Sequence, residues 1–197
     1  MTPETDLFGA PPAPAMPPGL TAGTDILSPE EERILLEALA PLPLAPFRFQ
    51  GWLGKRETIS FGWHYDFDAA RFGRTDPIPE MLQPLRRRAA AFAGLAADDL
   101  VQLLVTRYDP GAGIGWHRDR PVFEHVIGIS LGAPAMLRLR RRTDGGFARA
   151  VLPLPPRSVY HLAGVARHEW EHSIAALEQR RWSLTFRSLS FKGLAMA

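Results

Sequence analysis

The 197-residue sequence contains no cysteine, which excludes disulfide frameworks, thiolate zinc sites and cysteine nucleophiles. Any bound metal must therefore sit on histidine and carboxylate ligands, and a chain free of disulfides is compatible with a reducing compartment. A charged-then-apolar signal pattern is absent at the N-terminus, and no run approaches the roughly 18 apolar residues of a membrane span. A soluble, cytoplasmic protein without a membrane role is therefore expected. A strong excess of one charge is missing too: 23 basic residues against 21 acidic leave +2. Together with a pI near 9.4, this mild basic bias permits nucleic-acid binding without requiring it. The length suits one domain with one hydrophobic core, not two. Monomer is the default expectation, since no pattern demands a dimer.

Residues 1–24 read as a disordered tail, because Pro11, Pro12, Pro14, Pro17 and Pro18 alternate with alanine and glycine and cannot build a core. A single domain is expected over 25–192, with 193–197 as a C-terminal tail. Ser28-Pro29-Glu30-Glu31 is a helix start: a capping serine, proline in the first turn and an acid placed for a capping box. Ile34, Leu35, Leu36 and Leu39 then describe an amphipathic helix ending before Pro41. A second helix is expected from about Pro79 to Ala93, with Arg86, Arg87 and Arg88 on its flank. From Leu100 onward the texture becomes short alternating strands separated by Gly, Pro and Asp. Strands of this kind after two helices predict an α+β fold: a double-stranded β-helix, or jelly roll, with two helices packed outside.

Six histidines are the metal-ligand candidates. In Trp116-His117-Arg118-Asp119, a strand would direct His117 and Asp119 to one face and Arg118 away. Two histidines with one carboxylate suit iron(II) and leave positions open for a co-substrate and oxygen. The third ligand must come from far along the chain. His168-Glu169-Trp170-Glu171-His172 offers two histidines, and strand parity does not choose between them. The last strand, Arg181 to Arg187, alternates Arg181, Ser183, Thr185 and Arg187 with Trp182, Leu184 and Phe186. Two inward guanidiniums are costly inside a barrel unless an anion pairs with them. A dicarboxylate such as 2-oxoglutarate meets that need.

His117-x-Asp119, His172 and Arg181-x-x-x-x-x-Arg187 resemble the AlkB family of iron(II)/2-oxoglutarate dioxygenases. Arg107-Tyr108-Asp109-Pro110-Gly111-Ala112, Ile129-Ser130-Leu131-Gly132 and Leu184-Thr185-Phe186-Arg187 extend the match, which runs from about Ile26 to Ser190. The resemblance implies an Fe(II)-dependent dioxygenase using 2-oxoglutarate and molecular oxygen, with iron on His117, Asp119 and His172. It favours His172 over His168. Arg181 and Tyr108 would hold the distal carboxylate of 2-oxoglutarate, and Arg187 would act near its keto-acid end. Thr106 and Ser183 stand where the bacterial founding member carries asparagines that serve the co-substrate. Arg56, Trp63 and Tyr65 fall in the substrate-gripping lid, where aromatic rings can flank an extruded base, although ordinary packing suits Trp63 and Tyr65 equally.

Methylated DNA or RNA is the expected partner, and oxidative demethylation of alkylated bases the expected reaction. Arg138, Arg140, Arg141 and Arg142, with Arg86–Arg88, are candidate phosphate contacts; a solvated strand face is their default reading. Arg120-Pro121 follows the second ligand, where several nucleic-acid repair members carry an acid. That departure keeps open a protein side chain or small molecule as the alternative substrate. A binding module without turnover is the third reading.

Overall fold

The computed structural model describes residues 16–49, 51–66 and 71–196. In chain order its elements are β1 (Leu20–Gly23), α1 (Pro29–Leu39), β2 (Ala45–Phe49), β3 (Trp52–Phe61), β4 (Trp63–Asp66), β5 (Arg71–Arg74) and α2 (Gln83–Ala93). They continue with β6 (Gln102–Tyr108), β7 (Ile114–His117), β8 (Phe123–Gly132), β9 (Ala135–Thr143), β10 (Gly146–Leu154) and β11 (Val159–Leu162). The last are α3 (Gly164–His168), β12 (Glu171–Ile174), β13 (Arg181–Leu189) and α4 (Phe191–Leu194).

Two sheets face each other. The larger has the order β1-β11-β8-β13-β6-β3-β2, the smaller β10-β9-β12-β7, and β4 pairs with β5 as a separate hairpin. Every pairing is antiparallel. This is the jelly roll with helices outside that the strand pattern predicts.

The alternation of β13 divides the interior by chemistry. Trp182, Leu184 and Phe186 face α1 and α2, joining Leu39, Leu82, Leu85 and Ala89 in one apolar cluster. The opposite face, with Arg181, Ser183, Thr185 and Arg187, looks into the space between the sheets. A second cluster fills part of that space, with Leu137, Leu139, Leu152 and Leu154 from the small sheet against Val126, Tyr160 and Leu162 from the large one. Burying such side chains contributes about 1.5–3 kcal/mol each, and the polar part of the space is left for chemistry.

Helix α1 begins as its sequence dictates: Ser28 Oγ accepts from Glu31 N at 3.1 Å and Glu31 returns the bond to Ser28 N at 2.7 Å. Helix α2 ends on Gly94, whose φ of +69° is the left-handed conformation glycine adopts without cost. The helix expected from about Pro79 opens as a 3-10 turn over Glu80–Leu82 and becomes α-helical only from Gln83.

The limits of the ordered domain differ from expectation at both ends. Within the expected tail 1–24, residues 1–15 lie outside the described residues, but Leu20–Gly23 is a strand paired with β11, Leu20 opposite Leu162. As an edge strand it bonds on one side only, so the nearby prolines cost nothing, and Gly23 lies against the Phe92 ring. At the other end Ser190 caps α4, accepting from Gly193 N at 3.1 Å. Gly193 is buried against the Val122 carbonyl, so the chain stays docked beyond residue 192. Among the described residues no helix is long and apolar enough to cross a membrane.

Candidate active site

Strand pairing brings two of the three expected metal ligands together. In the β12–β7 ladder His172 lies directly opposite His117, and the two imidazoles sit 4.3 Å apart. The ladder stops there. Asp119 lies beyond the end of β7, in the connection to β8, so it does not share a strand face with His117 as the parity argument expects. The turning chain still carries it inward, to 3.5 Å between Oδ2 and His172 Nε2. Ligand atoms of His117, Asp119 and His172 all lie within 4.8 Å of one another. His117 Nδ1 is 2.9 Å from Gly115 O; a carbonyl can only accept, so Nδ1 holds the proton and Nε2 keeps its lone pair for a metal.

Electrostatics prepare these groups to bind a cation. Burial holds His172 down to about 3, with His117 adding to the effect, and burial also lowers His117. Both are therefore neutral at physiological pH. Burial by itself raises the Asp119 carboxyl, but Arg187 first, then His172, His117 and Arg167, outweigh it and hold the group below the ordinary carboxylate range. Arg187 donates from Nε to Asp119 Oδ1 at 2.8 Å, approaches the same oxygen with Nη2 at 2.6 Å, and gives Nη1 to Gln102 Oε1 at 2.8 Å. Asp119 Oδ2 is buried without a hydrogen bond, an acceptor that a metal ion would satisfy. The residues present thus fit iron(II).

A second unsatisfied group lies on the same inward face of β13 as Arg187. Arg181 is fully buried and gives Nε to Ser130 Oγ at 3.0 Å, while Nη1 and Nη2 have no partner at normal hydrogen-bond geometry and the Tyr108 side chain interacts with the guanidinium. Tyr108 stands across the ladder from Arg181, its ring centre 5.3 Å from the guanidinium carbon. Thr106 and Ser183 are buried cross-strand neighbours, and Ser183 faces Ser130 on the other side. A two-pronged cation set among hydroxyls fits a carboxylate.

Comparison with known proteins agrees with this geometry. The family model of the 2OG-Fe(II) oxygenase superfamily matches residues 51–187. The chain belongs to that superfamily.

The chain is 30% identical over 169 residues to the tRNA (carboxymethyluridine(34)-5-O)-methyltransferase alkbh8 of Xenopus tropicalis, covering 82% of this chain and 26% of the relative. It is 28% identical over 183 residues to the Alkylated DNA repair protein ALKBH8 homolog of Arabidopsis thaliana, covering 80% and 51%. Against the human Alpha-ketoglutarate-dependent dioxygenase alkB homolog 4 it is 29% identical over 147 residues, covering 57% and 49%. The chain therefore spans a quarter to a half of the length of these relatives. The solved structure of OsALKBH1 shares the fold, with a TM-score of 0.67 at 17% identity, covering 88% of this chain and 98% of that one. The AlkB-family resemblance of the motifs is borne out. The chain carries an Fe(II)/2-oxoglutarate oxygenase domain, whose cofactors are iron(II), 2-oxoglutarate and oxygen.

The other expected site residues are placed as follows. Arg187, expected near the keto-acid end of 2-oxoglutarate, lies against the metal-ligand candidate Asp119 and also donates to Gln102. His168 ends helix α3 and contacts Glu124 at 2.9 Å, so it never shares a strand face with His172. Trp63 is buried and stacked on Phe72, ring centres 4.8 Å apart. It packs the root of the β4–β5 hairpin and offers no face to a base. Tyr65 is half-buried with the Arg120 guanidinium 3.9 Å above its ring, which ties the hairpin to the residue after Asp119. Arg56 lies over the Phe47 ring at 3.7 Å and close enough to Tyr108 and His117 to influence both.

Four contributors went unread in the sequence. Gln102 shares the inward parity of Thr106 and Tyr108 on β6, a signal that was available. Ser130 stood only as part of a motif. The Tyr160 ring lies over Gly128, where a Cβ would fall 2.2 Å from its Cζ, and burial pushes its hydroxyl pKa up. Arg167, 3% exposed, donates Nη2 to the carbonyls of Arg120 and Phe123, both at 2.7 Å, and pins the loop that carries Asp119. No sequence pattern marks it.

Proposed function

We propose that this dioxygenase oxidises a methyl group on a nucleic-acid base, acting as a cytoplasmic monomer. The observation that carries the reading is the preformed His117, Asp119, His172 triad together with the buried Arg181 fork, in a fold whose relatives are named for tRNA modification and alkylated-DNA repair. When bound, iron(II) with 2-oxoglutarate and oxygen supplies the oxidation of a C–H bond, with succinate and carbon dioxide as by-products.

The residues of the chain do the rest. Arg181 grips the distal carboxylate of 2-oxoglutarate with Nη1 and Nη2, while Ser130 fixes Nε and Tyr108, Thr106 and Ser183 line the pocket. Arg187 and Gln102 hold the Asp119 carboxylate in one orientation, which leaves Oδ2 for the metal. The β4–β5 hairpin, anchored by Trp63 on Phe72, brings Tyr65 over the opening with Arg56 at its edge; together they orient the base and exclude water. An N-hydroxymethyl product then loses formaldehyde and leaves the unmodified base.

Mass spectrometry tests this on oligonucleotides carrying 1-methyladenine or 3-methylcytosine, and on tRNA, incubated with iron(II), 2-oxoglutarate and the protein, with His172→Ala alongside. Loss of one methyl mass, absent in the variant, is the expected result. Unchanged nucleic acid with succinate still formed would overturn the nucleic-acid reading and favour a protein side chain or small molecule.

A further inference from the structure

The outer face of the small sheet carries a stripe that the oxidation itself does not use. Leu137 and Leu139 of β9 point into the core, so Arg138, Arg140 and Arg142 point out. Trp116 of β7 and Phe147 of β10 lie among them. The Arg140 guanidinium carbon is 4.4 Å from the Trp116 ring centre and 4.7 Å from that of Phe147. Arg142 and Arg149 each lie 5.8 Å from the Phe147 ring. The stripe Trp116, Arg140, Phe147, Arg149 thus crosses the sheet, starting at the residue before His117.

Its charge is not arranged for stability. Arg140 faces Arg149 directly across the β9–β10 ladder, and like charges so placed destabilise a sheet. Glu171 offsets Arg140, but among the described residues Arg142 and Arg149 have no acidic partner. Several other arginines are tied down: Arg86 to Asp98 and the Leu100 carbonyl, Arg88 to Glu31, Arg107 to Glu57 and Arg157 to Glu32. Those bonds make Arg86 and Arg88 struts of the helical layer, not phosphate contacts. Phe147 stays 37% exposed at the centre of the stripe. Cations interleaved with open rings complement a polyanion with unstacked bases.

We propose that this stripe docks single-stranded polynucleotide flanking the target base, phosphates on Arg142 and Arg149 and bases on Phe147 and Trp116; the proposal rests on the nucleic-acid reading above. Four strands spaced about 4.8 Å apart make a track about 14 Å wide, room for a few nucleotides.

Fluorescence anisotropy with unmodified 12-mers of oligo(U) and oligo(dT), over a salt series, tests it. The double variant Arg142→Glu/Arg149→Glu should bind at least about tenfold more weakly, with a salt slope shallower by about 1.4, the value for two lost phosphate contacts on a single strand. Phe147→Ala should lose roughly tenfold with the slope unchanged, and Arg142→Lys/Arg149→Lys should keep the slope. The preferred oligomer identifies the strand type. Retained 2-oxoglutarate turnover to succinate verifies that each variant is folded. Absent salt-dependent binding by the wild type, or variants that bind as it does, overturns the stripe. Demethylation unaffected by the variants removes the stripe and leaves the enzyme assignment. Stripe-dependent binding without demethylation keeps the stripe and retires the base-oxidising reading.

Discussion

Replacing Arg181 with methionine should raise the stability of the unliganded protein while sharply reducing its response to 2-oxoglutarate. Arg181 is fully buried with two guanidinium nitrogens unpaired, and a desolvated ion costs several kcal/mol even after relaxation. Methionine keeps comparable volume and removes the charge. Recovering about 1–3 kcal/mol, at roughly 2–4 °C per kcal/mol for a domain of this size, raises the melting temperature by about 2–12 °C. For the wild type, 2-oxoglutarate at a hundred times its Kd adds about 2.7 kcal/mol. Truncating one partner of a buried charged pair costs about 2–5 kcal/mol, so the variant should bind at least about thirtyfold more weakly. The assay is thermal denaturation with manganese(II) in place of iron, with and without 2-oxoglutarate, and calorimetry for the affinity. A variant that melts below the wild type, or that keeps the shift with 2-oxoglutarate, would refute the account of Arg181 as an unpaired carboxylate receptor.

Gln102→Leu removes the acceptor for Arg187 Nη1 and should lower iron(II) affinity about 10- to 100-fold with the fold intact, read by competition against a chromogenic chelator; equal affinity would show that Gln102 does not position Asp119. Gly128→Ala places a methyl 2.2 Å from Tyr160 Cζ and should cost at least about 1–3 kcal/mol in urea denaturation, a penalty that adding Tyr160→Leu relieves. His161, 2.9 Å from His125, is held down to about 4, by burial first and His125 second. Its native pKa lies below its unfolded value, so between about pH 6.5 and 4 the unfolded chain binds the proton and stability falls as pH drops. His161→Gln should flatten urea midpoints across that window, and an unchanged slope would count against the assignment.

Much of the site was legible because it rests on short-range geometry. The capping box at Ser28 and Glu31 and the parity that turns Arg181 and Arg187 inward depend on a few neighbouring residues. The placement of His168 failed where that reasoning extends past its range: residues 164–168 form a helix, so parity with His172 is never realised. Trp63 was ambiguous from sequence because its stacking partner, Phe72, comes from the opposite strand of a hairpin that composition does not announce. Strand β1 was hidden for a related reason. A proline-bordered segment with little apolar content becomes ordered only when another strand, here β11, offers a free hydrogen-bonding edge.

By itself the sequence determined which chemistries were open. Without cysteine the metal must sit on nitrogen and oxygen, and the resemblance of the His117, Asp119, His172, Arg181 and Arg187 pattern to the AlkB family pointed to the ligands and the co-substrate anchor. Tertiary structure alone decided how these groups share the site: that Arg187 serves Asp119, that Arg181 keeps two donors free, that Arg167 pins the ligand loop, and that Arg140 faces Arg149 on an open sheet. Each of these outcomes depends on the register between strands or loops distant along the chain. A shift of one residue would turn Arg140, Arg149, Arg181 and Arg187 to the opposite face of their strands.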